Sequence, residues 1–174
     1  MAGLFSGCTK LKSVDLSSWD TSSVTSMNGM FGGCSSLTSI NLDNWDLSGI
    51  TYTHAASNDN GFMRTYLGLS SYGDVTDLSF NNVDFGTLDL YCFLSGFSNL
   101  INISLNDVDT SGVTSMNDMF GGCTSLTALD LSMFDMHSVT IISKYLFNSL
   151  VSFCFSIIIC NAKNDFFFNN SSSV

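Results

Sequence analysis

The chain has 174 residues, 45% of them hydrophobic, which suits one domain with a sizeable core. Only 11% are charged, yet they leave a formal net charge of −10, so a surface built mostly from Ser, Thr, Asn and Gly would repel phosphate backbones and anionic membranes. The six cysteines, at 8, 34, 92, 123, 154 and 160, form no CxxC pair and have no His cluster beside them, which argues against a zinc site or a thioredoxin-type redox motif.

The amino terminus, MAGLFSGCTKLK, lacks the charged and long apolar regions of a secretory signal. From there an LxxLxL spacing recurs along the chain: Leu11/Val14/Leu16, Leu37/Ile40/Leu42, Val75/Leu78/Phe80, Leu100/Ile103/Leu105 and Leu126/Leu129/Leu131. Successive starts lie 26, 38, 25 and 26 residues apart, so a 26-residue unit repeats with an insertion in its third copy. A weaker sixth match is Leu150/Phe153/Phe155. The units run approximately 1–26, 27–52, 53–89 with the insertion, 90–115, 116–141 and a degenerate 142–160, one repeat domain over 1–160 followed by a polar, disordered tail, 161–174.

Other columns keep the register. Three residues after each triplet stands Trp19, Trp45, Val83, Val108 or Phe134, followed in every copy by an aspartate: Asp20, Asp46, Asp84, Asp109, Asp135. An aliphatic follows at Val24, Ile50, Leu88, Val113 and Val139, and the clearest copies then carry Met27, Met30 and Phe31 or Met116, Met119 and Phe120 before Gly and Cys. The alternation inside LxxLxL predicts a short strand with one buried face, and VTSMNGMF predicts a turn of helix capped by Ser26. A single such unit cannot bury its apolar side, whereas stacked units share a core and pair their strands in parallel. The predicted fold is an α/β repeat solenoid with a parallel sheet on one face and short helical or 3-10 segments opposite.

The segments MFGGCSSLTSINLDNWDLSGIT and MFGGCTSLTALDLSMFDMHSVT resemble the repeat of BspA-like leucine-rich-repeat surface proteins, whose signature joins MFxxC, SLxxLDLSxWD and SxVTxM. The likeness covers residues 1–52 and 90–141; only its skeleton survives from 53 to 89, and little after 147. It implies a leucine-rich-repeat-like right-handed coil in a secreted or cell-surface protein without enzymatic activity, linked to adhesion or to binding a protein or glycan of another cell or a host. It implies no particular ligand and no cofactor.

The polar residues flanking each buried strand residue form the candidate binding face. They are Ser13, Asp15 and Ser17; Ser39, Asn41 and Asp43; Asp77, Ser79 and Asn81; Asn102, Ser104 and Asn106; and Ala128, Asp130 and Ser132, a surface expected to be five strands wide. Any solvated strand face has similar residues, so the alternative is a face with no ligand. The insertion, YTHAASNDNGFMRTY, is the candidate recognition loop, with His54, Asn58, Asp59 and Arg64; a plain surface loop is the alternative. The aspartate column, Asp20, Asp46, Asp84, Asp109 and Asp135, is read as accepting backbone N–H groups at the following corner, with cation binding as the weaker alternative.

Cys8, Cys34 and Cys123 share a column and are read as core thiols, although a Cys8–Cys34 disulfide is geometrically open. Trp19 and Trp45 are read as core. His54 and His137, the only histidines, stand beside no Ser or Cys in repeat register, so no catalytic arrangement is expected. Residues 145–160 are apolar but short of a membrane helix, and are expected to form a last strand that covers the end of the array. The chain begins inside a repeat, so a fragment of a longer array, or a structural spacer with no ligand of its own, is the alternative to a binding module. End-to-end self-association through open repeat ends is a further expectation.

Overall fold

Alternation within each LxxLxL triplet demands a short strand with one residue turned inward, and such a strand forms in each of the five clear copies. The computed structural model describes residues 1–52, 61–135, 137–139 and 156–158. Five three-residue strands, β1 (Ser13–Asp15), β2 (Ser39–Asn41), β3 (Asp77–Ser79), β4 (Asn102–Ser104) and β5 (Ala128–Asp130), are each centred on the second apolar residue of a triplet. A sixth, β6, spans Ser156–Ile158.

Strands β1 to β4 form one parallel sheet in sequence order. The inward residues stand opposite one another, Val14↔Ile40, Ile40↔Leu78 and Leu78↔Ile103. A register slip of one residue would turn this apolar set to solvent, so burial holds the pairing. One strand per sequence unit, in parallel and with few helical turns, is compatible with an α/β repeat fold.

The repeat columns supply the core. Leu42, Phe80 and Leu131 from the triplets, Trp45, Val83 and Phe134 after them, and Met27, Met30, Phe31, Met116, Met119 and Phe120 from the following segment are all at most 3% exposed. Stacking is visible ring by ring: Phe5 and Phe31, one period apart, have ring centroids 5.7 Å apart and nearly parallel planes, at 5°.

Cys8 and Trp19, expected in the core, are exposed, and four further expectations require correction. The segment after Ser26 is a run of turns instead of a helix. Its Gly29 has a φ of 65°, and Cys92 and Asp118, the matching residues of later copies, have φ of 50° and 53°. A right-handed helix cannot pass through a left-handed residue. Helical turns occur instead around the insertion, as a π-turn over Phe62–Tyr66 and a 3-10 turn over Tyr72–Asp74.

The second correction concerns the insertion, whose later half is core. Phe62, Met63, Leu67 and Leu69 are at most 1% exposed, and the carbonyls of Tyr66 and Leu67 accept from Gly29 and Phe31 N–H at 2.7 and 2.9 Å. Residues 61–69 thus take the place that the Met-Phe segment fills in other copies.

Third, β5 pairs with β6 in a second sheet and not with β4, so the polar face is four strands wide before it breaks. Units 4 and 5 are joined elsewhere: Cys92, Leu94 and Gly96 N–H donate to the carbonyls of Asn117, Met119 and Gly121 at 2.9, 2.8 and 2.6 Å. Fourth, Leu129 stands opposite Ile157, four residues beyond the Phe153 expected there. Ile157 and Ile158 are β-branched, a residue type enriched in strands. The remainder of 142–160 and the tail 161–174 lie outside the described residues.

Candidate binding face

Each candidate strand carries side chains of alternating fate: the central one turns to the core, buried in β2, β3 and β5 and half-buried in β1 and β4, and its neighbours lie on the outer surface. Ser13, Asp15, Asn102, Asn106, Ala128 and Asp130 are exposed; Ser17, Ser39, Asn41, Asp43, Asp77, Ser79, Asn81, Ser104 and Ser132 are half-buried. Those of β2 to β4 and the residues just after them do not wait singly for a ligand, because they bond to one another across the sheet.

The relay starts at Asp43. Its Oδ1 accepts from the Ser79 hydroxyl at 2.6 Å and from Asn81 N–H at 2.7 Å, while its Oδ2 accepts from Asn81 Nδ2 at 3.2 Å. Asn81 Oδ1 in turn accepts from the Ser104 hydroxyl at 2.6 Å and from Asn106 N–H at 2.9 Å. Asn81 Nδ2 and Asn106 Nδ2 donate to Ser79 and Ser104 Oγ, both at 3.0 Å. Beside this row Asn102 Nδ2 donates to Asp77 Oδ1 at 2.6 Å. The Asn102 amide and the Thr76 hydroxyl hold the Asp77 carboxyl below its ordinary range, Thr76 more strongly.

Residue type explains where the relay runs. On β1, β2 and β5 the last strand residue is Asp15, Asn41 or Asp130, long enough to accept the N–H two residues on within its own unit, at 3.0, 2.9 and 2.9 Å. On β3 and β4 that residue is serine, and the preceding unit's Asp43 or Asn81 reaches across instead. Asp130 has no hydroxyl to give to Asn106, so the relay stops where the sheet does.

A second column was missed in the sequence. Asn44, Asn82 and Asp107 have φ of 64°, 54° and 54°, the left-handed conformation in which Asn and Asp are enriched. Asn82 Nδ2 donates to Asn44 Oδ1 at 3.1 Å, and Asn44 Nδ2 donates to the Ser17 carbonyl at 3.1 Å. Asn or Asp recurring just before the Trp/Val column was the available signal.

The aspartate column sits at the corners. Asp20, Asp46, Asp84, Asp109 and Asp135 each accept, through Oδ1, the backbone N–H two residues on, at 3.1, 2.8, 2.7, 2.9 and 2.9 Å. The Ser22 hydroxyl and N–H lower the Asp20 pKa, and the Ser111 and His137 N–H groups chiefly lower those of Asp109 and Asp135. Among the described residues no three His, Cys or Asp side chains come together to hold a metal ion. Buried Thr21 and Thr110 each bridge to the next corner, bonding the N–H of Asp46 or Asp135 at 2.8 Å.

Arg64 is turned inward. Its guanidinium lies 3.8 Å from the Tyr72 ring centroid, and its Nη1 donates to the Ser95 carbonyl at 3.3 Å. Ser95 Oγ donates on its other side to Asp118 Oδ2 at 3.5 Å. Arg64 Nε and Asp118 Oδ1 are buried without partners, and burial raises the Asp118 pKa. Arg64 therefore fastens the third unit to the fourth and does not project from a loop. His54, Asn58 and Asp59 lie outside the described residues. His137 is exposed, its Nδ1 3.0 Å from Asp135 Oδ1.

Parallel one-strand units, a core of repeated columns and a polar outer sheet face define a repeat protein that presents a surface. The chain belongs to the family described as "Mycoplasma protein of unknown function, DUF285", whose pattern matches residues 1–64 and 88–169. The unmatched stretch, 65–87, contains the 3-10 turn, β3 and its corner. No curated protein and no solved structure matches the chain. No helix among the described residues is long and apolar enough to cross a membrane.

Proposed function

We propose that this chain is a non-enzymatic surface repeat module that binds a protein or glycan of another cell or a host. The reading includes a leucine-rich-repeat-like, right-handed solenoid of the BspA-like kind. The observation that carries it is the hydrogen-bonded row Asp43–Ser79–Asn81–Ser104–Asn106. Side chains held in place by one another lose little freedom when a ligand docks, which lowers the cost of binding through small polar groups. Asn106, its exposed member, and the exposed Asn102 beside it offer amide donors and acceptors to a sugar hydroxyl or a peptide group.

The test is binding of the intact chain to arrayed cell-surface glycans and matrix proteins, repeated with Asn102→Lys and Asn106→Lys. Binding lost in both variants supports the module. Absence of binding at high micromolar concentration sinks it.

A second reading is a structural spacer, favoured by the same row: its donors and acceptors already satisfy one another, so the face is complete without a ligand. Unchanged attachment of cells or beads carrying the two lysine variants would select the spacer.

A further inference from the structure

Strands β2 to β4 are laced together by one recurring set of backbone bonds. Asn102 N–H donates to the Thr76 carbonyl at 3.0 Å and Phe80 N–H to the Ser104 carbonyl at 2.9 Å; one unit earlier Asp77 and Leu42 N–H donate to Thr38 and Ser79 at 3.3 and 2.9 Å. Asn102 and Ser104 therefore face β3, and by alternation the N–H and C=O groups of Ile103 and Leu105 face away from it, toward unit 5. There the series stops. Ala128 N–H makes no bond to the Ile101 carbonyl, Leu105 N–H makes none to the Asp130 carbonyl, and β4 and β5 belong to different sheets. On β5, Leu129 is paired with Ile157, so the backbone groups of Ala128 and Asp130 face β4 and are left without a strand partner.

The two units have not come apart. Before the strands, Gly96 N–H donates to the Gly121 carbonyl at 2.6 Å and Ser125 N–H to the Ser98 carbonyl at 3.1 Å; after them, Asp135 N–H donates to the Thr110 hydroxyl oxygen at 2.8 Å. Between these joints lies a slot with a free strand edge on each wall. Ile103 is half-buried, whereas Ile40 and Leu78, each flanked by two strands, are buried. Outside the first unit, the exposed large apolar side chains among the described residues are Ile101, at 53%, and Met133, at 50%, one beside each wall. The rim is acidic: Asp107, Asp109 and Asp130 are exposed, and no Lys or Arg occurs between residues 98 and 135.

We infer that this slot takes one extended segment of a partner polypeptide. The segment enters as a strand between β4 and β5, sets an apolar side chain inward beside Ile103, and carries Lys or Arg outward to Asp107 and Asp130. A peptide strand presents N–H and C=O groups alternately on its two sides, so it alone completes both free edges at once, about 4.8 Å from each. Acidic segments are repelled by the rim. The site is separate from the polar row, which works through side chains on the outer face and not through strand edges.

Fluorescence anisotropy of the full chain with a labelled, end-blocked peptide, Thr-Lys-Ile-Lys-Leu-Lys, tests the inference. Binding should saturate below about 1 mM. The same peptide methylated at the Ile and Leu amide nitrogens keeps every side chain and charge but loses two donors, and should bind about tenfold more weakly or worse. A peptide with Glu for each Lys should not bind. Ala128→Pro removes one donor of the slot at the first residue of β5, where proline is tolerated and the side chain is exposed. It should weaken binding about fivefold with unchanged circular dichroism; if that variant does not fold, the methylated peptide decides alone. No binding at about 1 mM, equal binding of the methylated or the Glu peptide, or full binding by folded Ala128→Pro would each overturn the inference.

Discussion

Trp45 Nε1 and the Leu16 carbonyl, 3.0 Å apart and buried, tie the second unit to the first. The bond satisfies an indole that burial would otherwise leave unpaired. Trp45→Phe should cost about 1–2 kcal/mol, because the Leu16 carbonyl loses its buried donor. Trp45→Ala should cost about 3–5 kcal/mol through the cavity left behind. Trp19→Phe, at the matching but half-open position, should change stability by about 0.5 kcal/mol or less. Chemical denaturation of the three variants measures the contrast, and equal costs at 19 and 45 would show that stacking gives the second tryptophan no added weight.

Corner bonds leave the aspartate column little reason to take up a cation. The thermal midpoint in calcium and in chelator should therefore coincide. A rise with calcium would reassign the column as ligands. Asp46→Ala should cost about 1 kcal/mol, the worth of one such bond, and Asp46→Asn, which still accepts the Ser48 N–H, should restore most of it.

Two opposed acid effects follow from the carboxylates. Asp15, Asp20, Asp77, Asp109, Asp130 and Asp135 have pKa values below the ordinary 3.8, held there by hydrogen bonds to the ionised form. Their contribution is complete above 3.8 and is lost as pH falls through the folded-state values. Asp118 is raised above 3.8 by burial, so it removes stability as pH climbs from 3.8 through its folded value. Asp118→Asn, which tolerates the φ of 53°, should stabilise the protein at neutral pH and leave it unchanged near pH 3. Melting across pH 3–7 decides it; an equal gain at both ends would show that ionisation is not the cause.

Thiol reactivity should divide by position. Cys8 is exposed, while Cys34, Cys92 and Cys123 are buried and unpaired with one another. Burial pushes the Cys123 pKa up to about 12 and raises those of Cys34 and Cys92. Alkylation of the native chain at pH 7, mapped by mass spectrometry, should modify Cys8 and spare Cys34, Cys92 and Cys123 until the protein is unfolded. Native labelling of Cys123 as fast as Cys8 would contradict the packing of units 4 and 5.

The period and the register of β1 to β4 follow from the sequence alone, since strand side chains alternate and only one register turns Val14, Ile40, Leu78 and Ile103 to the core. The polar outer columns follow for the same reason. What those columns do was decided only by tertiary structure. Asn81 reads as one more surface amide until β4 brings Ser104 within 2.6 Å of it, and Arg64 reads as a loop cation until Tyr72 and Ser95 come under it. The turn at Gly29, the break after β4 and the place of β6 depend on backbone conformation and on contacts between units. A hydrophobic period records which residues must be buried; the hydrogen bonds that join one unit to the next depend on distances that exist only after the units have stacked.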